Sequence, residues 1–193
     1  VDDGSIDILE FDVTIAASDV AVYRQVSGAT PVGLVLALPA TGDSVDLSNS
    51  YTAGTAGAIE LVRFASGTQW DLSAMKARVS GEVGGDANDT LSGTAGADLL
   101  DGRAGADVMT GLAGDDVYFV GSNGDQVIEG SRSGSDSVIS TIEYSLPANV
   151  ERLQLAGSAP LRGFGNTLNN MLTGNGGTKR IDGGAGTDTL RGG

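Results

Sequence analysis

The chain has 193 residues, among them 31 glycines, no cysteine and no histidine, and its formal net charge at pH 7 is -14. Such an acidic balance, with 11 basic residues, excludes nucleic acid as a partner, because phosphate recognition needs a stripe of lysine and arginine. The missing cysteines exclude disulfides and thiolate metal sites.

The charge has two readings: a surface that keeps the protein in solution, or carboxylates whose repulsion a divalent cation relieves. Aromatic residues make up 5% of the chain, so any core is thin. No apolar run approaches the roughly 20 residues of a membrane span. No charged-then-apolar leader opens the sequence, which reads as a piece of something longer.

In chain order, residues 1 to about 80 predict short alternating strands: Phe11, Val13 and Ile15, then Val20 and Val22, then Val32 through Leu38, then Val45 and Leu47. A last strand from Ile59 to Phe64 ends at the turn Ala65-Ser66-Gly67-Thr68. Asp71 then caps a short helix carrying Leu72 and Met75.

From Gly84 the pattern becomes a nine-residue repeat with frames GGDANDTLS, GTAGADLLD, GRAGADVMT and GLAGDDVYF. The sixth position is always aspartate (Asp89, Asp98, Asp107, Asp116), and the eighth is always large (Leu91, Leu100, Met109, Tyr118). The frame continues through Asp125 and Val127. Two extra residues then place the next match at Asp136-Ser137-Val138, and irregular rungs follow through Ile142, Tyr144 and Leu146 to Leu155.

A second array starts at Gly165 with GNTLNNMLT, GNGGTKRID and GGAGTDTLR, and stops at Gly192-Gly193, the first two positions of a further repeat.

The nonapeptide G-G-x-G-x-D-x-U-x is a known calcium-binding β-helix repeat. Six residues turn and three extend. Glycine permits positive φ in the turn and exposes carbonyl oxygens, here those of Gly85, Ala87, Gly96, Gly105 and Gly114, beside the sixth-position carboxylate. Two nonapeptides complete a coil, so turns 18 residues apart stack on one edge. One edge carries Asp89, Asp107 and Asp125; the other carries Asp98, Asp116 and Asp136. Oxygen donors in that number suit Ca²⁺, and without histidine zinc and copper lose their usual ligand. Periodic Asp-Gly also serves ordinary turns, but in-register repeats with an inward apolar residue at fixed offset favour calcium.

The expected fold is therefore all-β: a right-handed parallel β-roll (a β-solenoid of nonapeptides) preceded by a small β-rich domain. The expected divisions are 1–80 for that domain, 81–128 for the first array, 129–164 for irregular linking rungs and 165–193 for a degenerate second array. In the last, the sixth positions are Asn170, Lys179 and Asp188, so Asp188 alone keeps a carboxylate to offer a metal. Lys179 is either an internal counter-cation or, preferably, a solvent-facing residue on a decayed repeat.

These repeats resemble the RTX (repeats-in-toxin) haemolysin-type calcium-binding proteins that Gram-negative bacteria export by type I secretion. The stretch from Asp115 through Tyr118, Asp125, Asp136 and Tyr144 to Asn149-Val150-Glu151 resembles the module that links RTX arrays. The run from Ile59 to Asp71 resembles the haemolysin-type calcium-binding-related domain that precedes such repeats. The resemblance implies a chain kept unfolded in the low-calcium cytosol and folded by calcium outside the cell or at its surface.

Catalysis is not expected. Without histidine or cysteine the commonest acid-base and thiol chemistries are missing, and the repeat already accounts for the aspartates. Tyr144 and Trp70, which could line a sugar site, sit in apolar spacings that predict core packing. The competing readings are a non-catalytic tail of a secreted hydrolase or epimerase, and a structural or adhesive subunit that self-associates through open solenoid ends.

Overall fold

The computed structural model describes residues 8–48, 59, 61–178 and 180–193. Lys179 and Glu60 lie outside these residues.

The N-terminal part is built from β1 (Ile8–Phe11), β2 (Ala21–Ser27), β3 (Thr30–Leu38), β4 (Asp43–Ser48), β5 (Leu61–Phe64) and β6 (Gln69–Asp71), followed by α1 (Leu72–Lys76). Strands β2, β3 and β4 pair antiparallel in sequence order, and β2 turns into β3 at Gly28, whose φ of 63° suits a residue without Cβ. β1 pairs parallel with β5, and β5 antiparallel with β6. Val22, Leu34, Leu36, Val62, Phe64, Trp70 and Met75 form the buried core. Asp71 caps the helix as its sequence position predicts, accepting the Ala74 N–H at 2.7 Å.

The expected strand through Val13 and Ile15 is corrected. β1 stops at Phe11, and Val13 is 83% exposed. The chain turns there because the Asp12 carbonyl accepts the Ile15 N–H at 3.1 Å and its side chain accepts from Thr14.

The remainder is a solenoid. Strands β7 (Val79–Val83), β9 (Leu99–Asp101), β11 (Val117–Val120), β13 (Ser137–Ser140), β15 (Arg152–Leu155), β17 (Met171–Thr173) and β19 (Thr189–Arg191) stack in parallel on one face. The opposite face holds β8 (Thr90–Ser92), β10 (Val108–Thr110) and β12 (Gln126–Ile128), then a second three-stranded sheet of β14 (Tyr144–Ser145), β16 (Arg162–Phe164) and β18 (Arg180–Asp182). The 18-residue register is direct: Leu91 pairs with Met109 and Met109 with Val127, while Leu100 pairs with Tyr118.

The three-residue strands β8, β9, β10, β12 and β17 each bury their middle residue, and β11, β13 and β15 bury two. Leu91, Leu100, Met109, Tyr118 and Val138 are fully buried, and Leu153 and Leu172 nearly so. Burying one such side chain contributes roughly 1.5–3 kcal/mol, and the ladder is only two side chains thick. The segment 129–164 continues the solenoid through β13 to β16. In the second array the apolar eighth positions divide between the two faces: Leu172 pairs with Leu190 on the long sheet, whereas Ile181 faces Gly163 on the other, and Leu190 is 49% exposed.

The sequence division at residue 80 falls inside β7, which pairs with both β2 and β9. The N-terminal hairpins and the roll thus share one ten-stranded sheet. Among the described residues no helix is long and apolar enough to cross a membrane.

Candidate metal centre

Each sixth-position aspartate stands immediately before its strand, at the exit of a turn. The stacking turns this position into a ladder. Asp89 N–H donates to Asp107 Oδ1 at 2.8 Å, and Asp107 N–H donates to Asp125 Oδ1 at 3.2 Å. On the other edge Asp98 N–H donates to Asp116 Oδ1 at 2.8 Å, and Asp116 N–H to Asp136 Oδ1 at 2.9 Å. Both expected rows are brought together, including Asp136 beyond its two-residue insertion. Asp89, Asp98, Asp107, Asp116 and Asp136 are buried, and Asp125 is half-buried.

The second carboxylate oxygen divides the turns into two forms. In a closed form it accepts an N–H from its own turn: Asp89 Oδ2 takes Gly85 at 2.6 Å, Asp98 Oδ2 takes Thr94 at 2.6 Å, and Asp125 Oδ2 takes Ser122 at 2.9 Å. In an open form the turn residues are left-handed, Arg103 (φ 62°) and Gly105 (126°), then Leu112 (79°) and Gly114 (117°). There Asp107 Oδ2 and Asp116 Oδ2 are buried with no hydrogen-bond donor. Gly85 and Gly96, expected to take positive φ, do not, because the Asp89 and Asp98 carboxylates fold the first two turns onto themselves. Gly184 (81°) and Gly186 (123°) show that the turn before Asp188 has the open backbone.

A buried carboxylate oxygen without a donor is expensive. Burial, foremost, and then the neighbouring Asp125 and Asp89 charges push Asp107 up to about 6, against a lowering main-chain hydrogen bond from Asp89. Burial likewise pushes Asp116 up to about 6, helped by Glu129, Asp136 and Asp98. Asp136 is raised by burial and by Glu129 and Glu151.

The carbonyls of Ala87 and Gly96 lie against Gly105 and Gly114 of the next turns, so close that a Cβ on either glycine would collide with them. Hard oxygen donors, orphaned carboxylate oxygens and a surplus of negative charge fit Ca²⁺. Asp107, Asp116 and their stacked partners would hold it, and the ion would supply the missing positive charge.

Two acidic residues outside the expected set join the ladder. Glu151 continues the second edge, its Oε2 accepting Asp136 N–H at 2.9 Å. It directly precedes β15, as each aspartate precedes its strand. Glu129 lies beside Asp116 and Asp136, with the ligand atoms of all three within 4.8 Å of one another. It stands at the first position of its frame, where the repeat has glycine.

The second array holds its turns differently. Asn170 Nδ2 donates to the carbonyls of Val150 at 3.1 Å and Glu151 at 3.3 Å, and its Oδ1 accepts Asn166 N–H at 2.8 Å. Asn166 Nδ2 reaches the carbonyls of Pro147 and Val150, and Asn175 Nδ2 those of Ala156 and Ala159. Amide donors here bind carbonyls of the preceding rung. Asp188 Oδ1 accepts Asn170 N–H at 2.9 Å, so its ladder neighbour brings no charge.

Stacked parallel rungs with rows of buried aspartates define a calcium-binding β-roll. Residues 83–118 and 164–193 match the family described as RTX calcium-binding nonapeptide repeat, and residues 34–74 match the haemolysin-type calcium binding protein related domain. Together these cover more than half of the chain, which is an RTX calcium-binding repeat protein. Residues 119–163 lie outside both matches, although their strands continue the same solenoid. No curated protein and no solved structure matches the chain.

Proposed function

We propose that this chain is an extracellular module whose roll folds when calcium reaches it after type I secretion, with Asp89, Asp98, Asp107, Asp116, Asp125 and Asp136 as the carboxylate ligands and the turn carbonyls completing the shell. The observation that carries this reading is the pair of buried, donorless oxygens on Asp107 and Asp116. Without a cation the rows repel themselves inside a thin core; with one, that repulsion becomes cohesion. In a cytosol low in calcium the balance favours the unfolded chain, and outside it reverses.

The proposed role needs no catalysis from this chain. Titrating calcium into chelator-treated protein while following β content by circular dichroism tests the reading. A cooperative gain of β structure at about 10⁻⁴ to 10⁻³ M calcium supports it. Full β content in chelator overturns it.

Self-association through a sheet edge is the second reading, favoured among the described residues by the edge strand β4 with Val45 exposed. Sedimentation with and without calcium distinguishes it from a monomeric module.

A further inference from the structure

We propose that the calcium between Asp116 and Asp136 takes Glu129 as a third carboxylate and is the tightest in the chain, because the regular repeat breaks there. The proposal rests on the calcium reading of the roll and adds to it a ligand that the other stacked pairs lack. A regular pair of stacked turns offers two aspartates, whereas this one offers three buried carboxylates.

The spacing suits one ion. Oxygens on opposite sides of a calcium at about 2.4 Å stand about 4.8 Å apart, and the three ligand atoms lie within 4.8 Å of one another. Asp116 is fully buried, and its Oδ2 has no donor. That oxygen is aimed into the cluster: a Cβ added to Gly111 would collide with Asp116 Oδ2, Glu129 Oε1 and the Tyr118 hydroxyl together. In the turns at Gly84 and Gly93 the corresponding Cβ would meet the turn's own aspartate Oδ2 and the carbonyl of the glycine 18 residues on, Gly102 or Gly111. Here that later residue is Glu129, and its side chain brings a full charge to the turn.

The surroundings hold Glu129 in place. Tyr118, the aromatic residue among the eighth positions, donates its hydroxyl to Glu129 Oε1. Ser133 Oγ donates to Glu129 Oε2 at 2.7 Å, and Asn149 Nδ2 to the Glu129 carbonyl at 3.0 Å. Glu151 adds a fourth carboxylate nearby through its bond from Asp136 N–H. Higher ligand charge raises calcium affinity in a site of given rigidity. Tyr118 is the positioning residue, and its ring makes the site observable.

The experiment uses the full chain. Calorimetry with calcium should show one ion bound at least about tenfold more tightly than the rest. Glu129→Gln should abolish that tight class and leave the weaker ions, while calcium-loaded circular dichroism stays as in the parent. Terbium, which takes calcium's oxygen ligands and emits when a nearby tyrosine is excited, should emit at the first equivalent, and Tyr118→Phe should remove most of that signal. A tight class that survives Glu129→Gln, or first-equivalent terbium emission unchanged by Tyr118→Phe, overturns the proposal. If Glu129→Gln does not fold, the Tyr118→Phe emission alone decides. Failure of the broader reading looks different: the parent chain then binds no calcium at all.

Discussion

The main-chain N–H of Gly28 donates to Oδ1 of Asp89 at 2.6 Å, across 61 residues of sequence. Thr90 N–H returns a bond to the Gly28 carbonyl at 2.7 Å. Within the roll the same exchange joins Asp89 to Asp107 and Val108. The β2–β3 hairpin tip therefore takes the place of a rung before the first one. Asp89→Ala removes the acceptor for both Gly28 and Gly85 and should cost about 1–3 kcal/mol in calcium. Urea unfolding measures the loss, and faster hydrogen exchange at Gly28 should accompany it.

Stoichiometry should depend on where an aspartate stands in its row. The first array is expected to bind about four ions, between Asp89 and Asp107, Asp98 and Asp116, Asp107 and Asp125, and Asp116 and Asp136. Asp107 serves two pairs and Asp89 one, so Asp107→Asn should lose about two ions and Asp89→Asn about one. Calorimetry counts them. Equal losses would refute the shared-ligand arrangement.

Removing calcium should expose the roll and the N-terminal hairpins unequally. Hydrogen exchange in chelator should rise across β8 to β13, where carboxylates face one another. It should change little in β2 and β3, which pack on Trp70, Phe64 and Met75. Uniform loss of protection would show that the shared sheet makes the whole chain one cooperative unit.

Acid should stabilise the metal-free roll. Asp107 and Asp116 sit at about 6 in the fold, above their ordinary value of 3.8. The folded state then holds protons more firmly than the unfolded chain. This contribution is complete below about pH 4 and is lost as pH rises through about 6. In chelator, circular dichroism should show more β structure at pH 5 than at pH 7.5. With calcium the order should reverse, because protons compete with the ion.

Asn170→Asp should make the second array dependent on calcium. The change removes both bonds from Nδ2 to Val150 and Glu151 and puts a charge beside Asp188. At limiting calcium it should destabilise the chain by about 1–3 kcal/mol; at saturating calcium it should add about one ion. A stoichiometry unchanged from the parent would show that the two oxygens do not share a cation.

The repeat register, the stacking of turns 18 residues apart and the inward ladder were legible in the sequence, because a side chain that alternates in a three-residue strand leaves a period. Glu151 and Gly28 were not. They enter the ladder through connections of other lengths, with Glu151 15 residues beyond Asp136. The two turn forms were hidden as well, since Arg103 and Leu112 are left-handed where propensity favours glycine. Glu129 occupies a glycine position, and its partners are fixed only once Gly111 leaves room for it.

The single sheet from β4 to β19 also has a mechanical meaning. Tension along the stacking direction loads the rungs in series, so the solenoid should peel from an edge instead of shearing as a block. Each released coil of 18 residues frees about 60 Å of chain. Under load, calcium-bridged seams should rupture at forces that follow the ion concentration, whereas the seam closed by Asn170 should give way at a force indifferent to it. The molecule would be a tether whose stiffness is set by the surrounding medium along one stretch and by its own amides along the other.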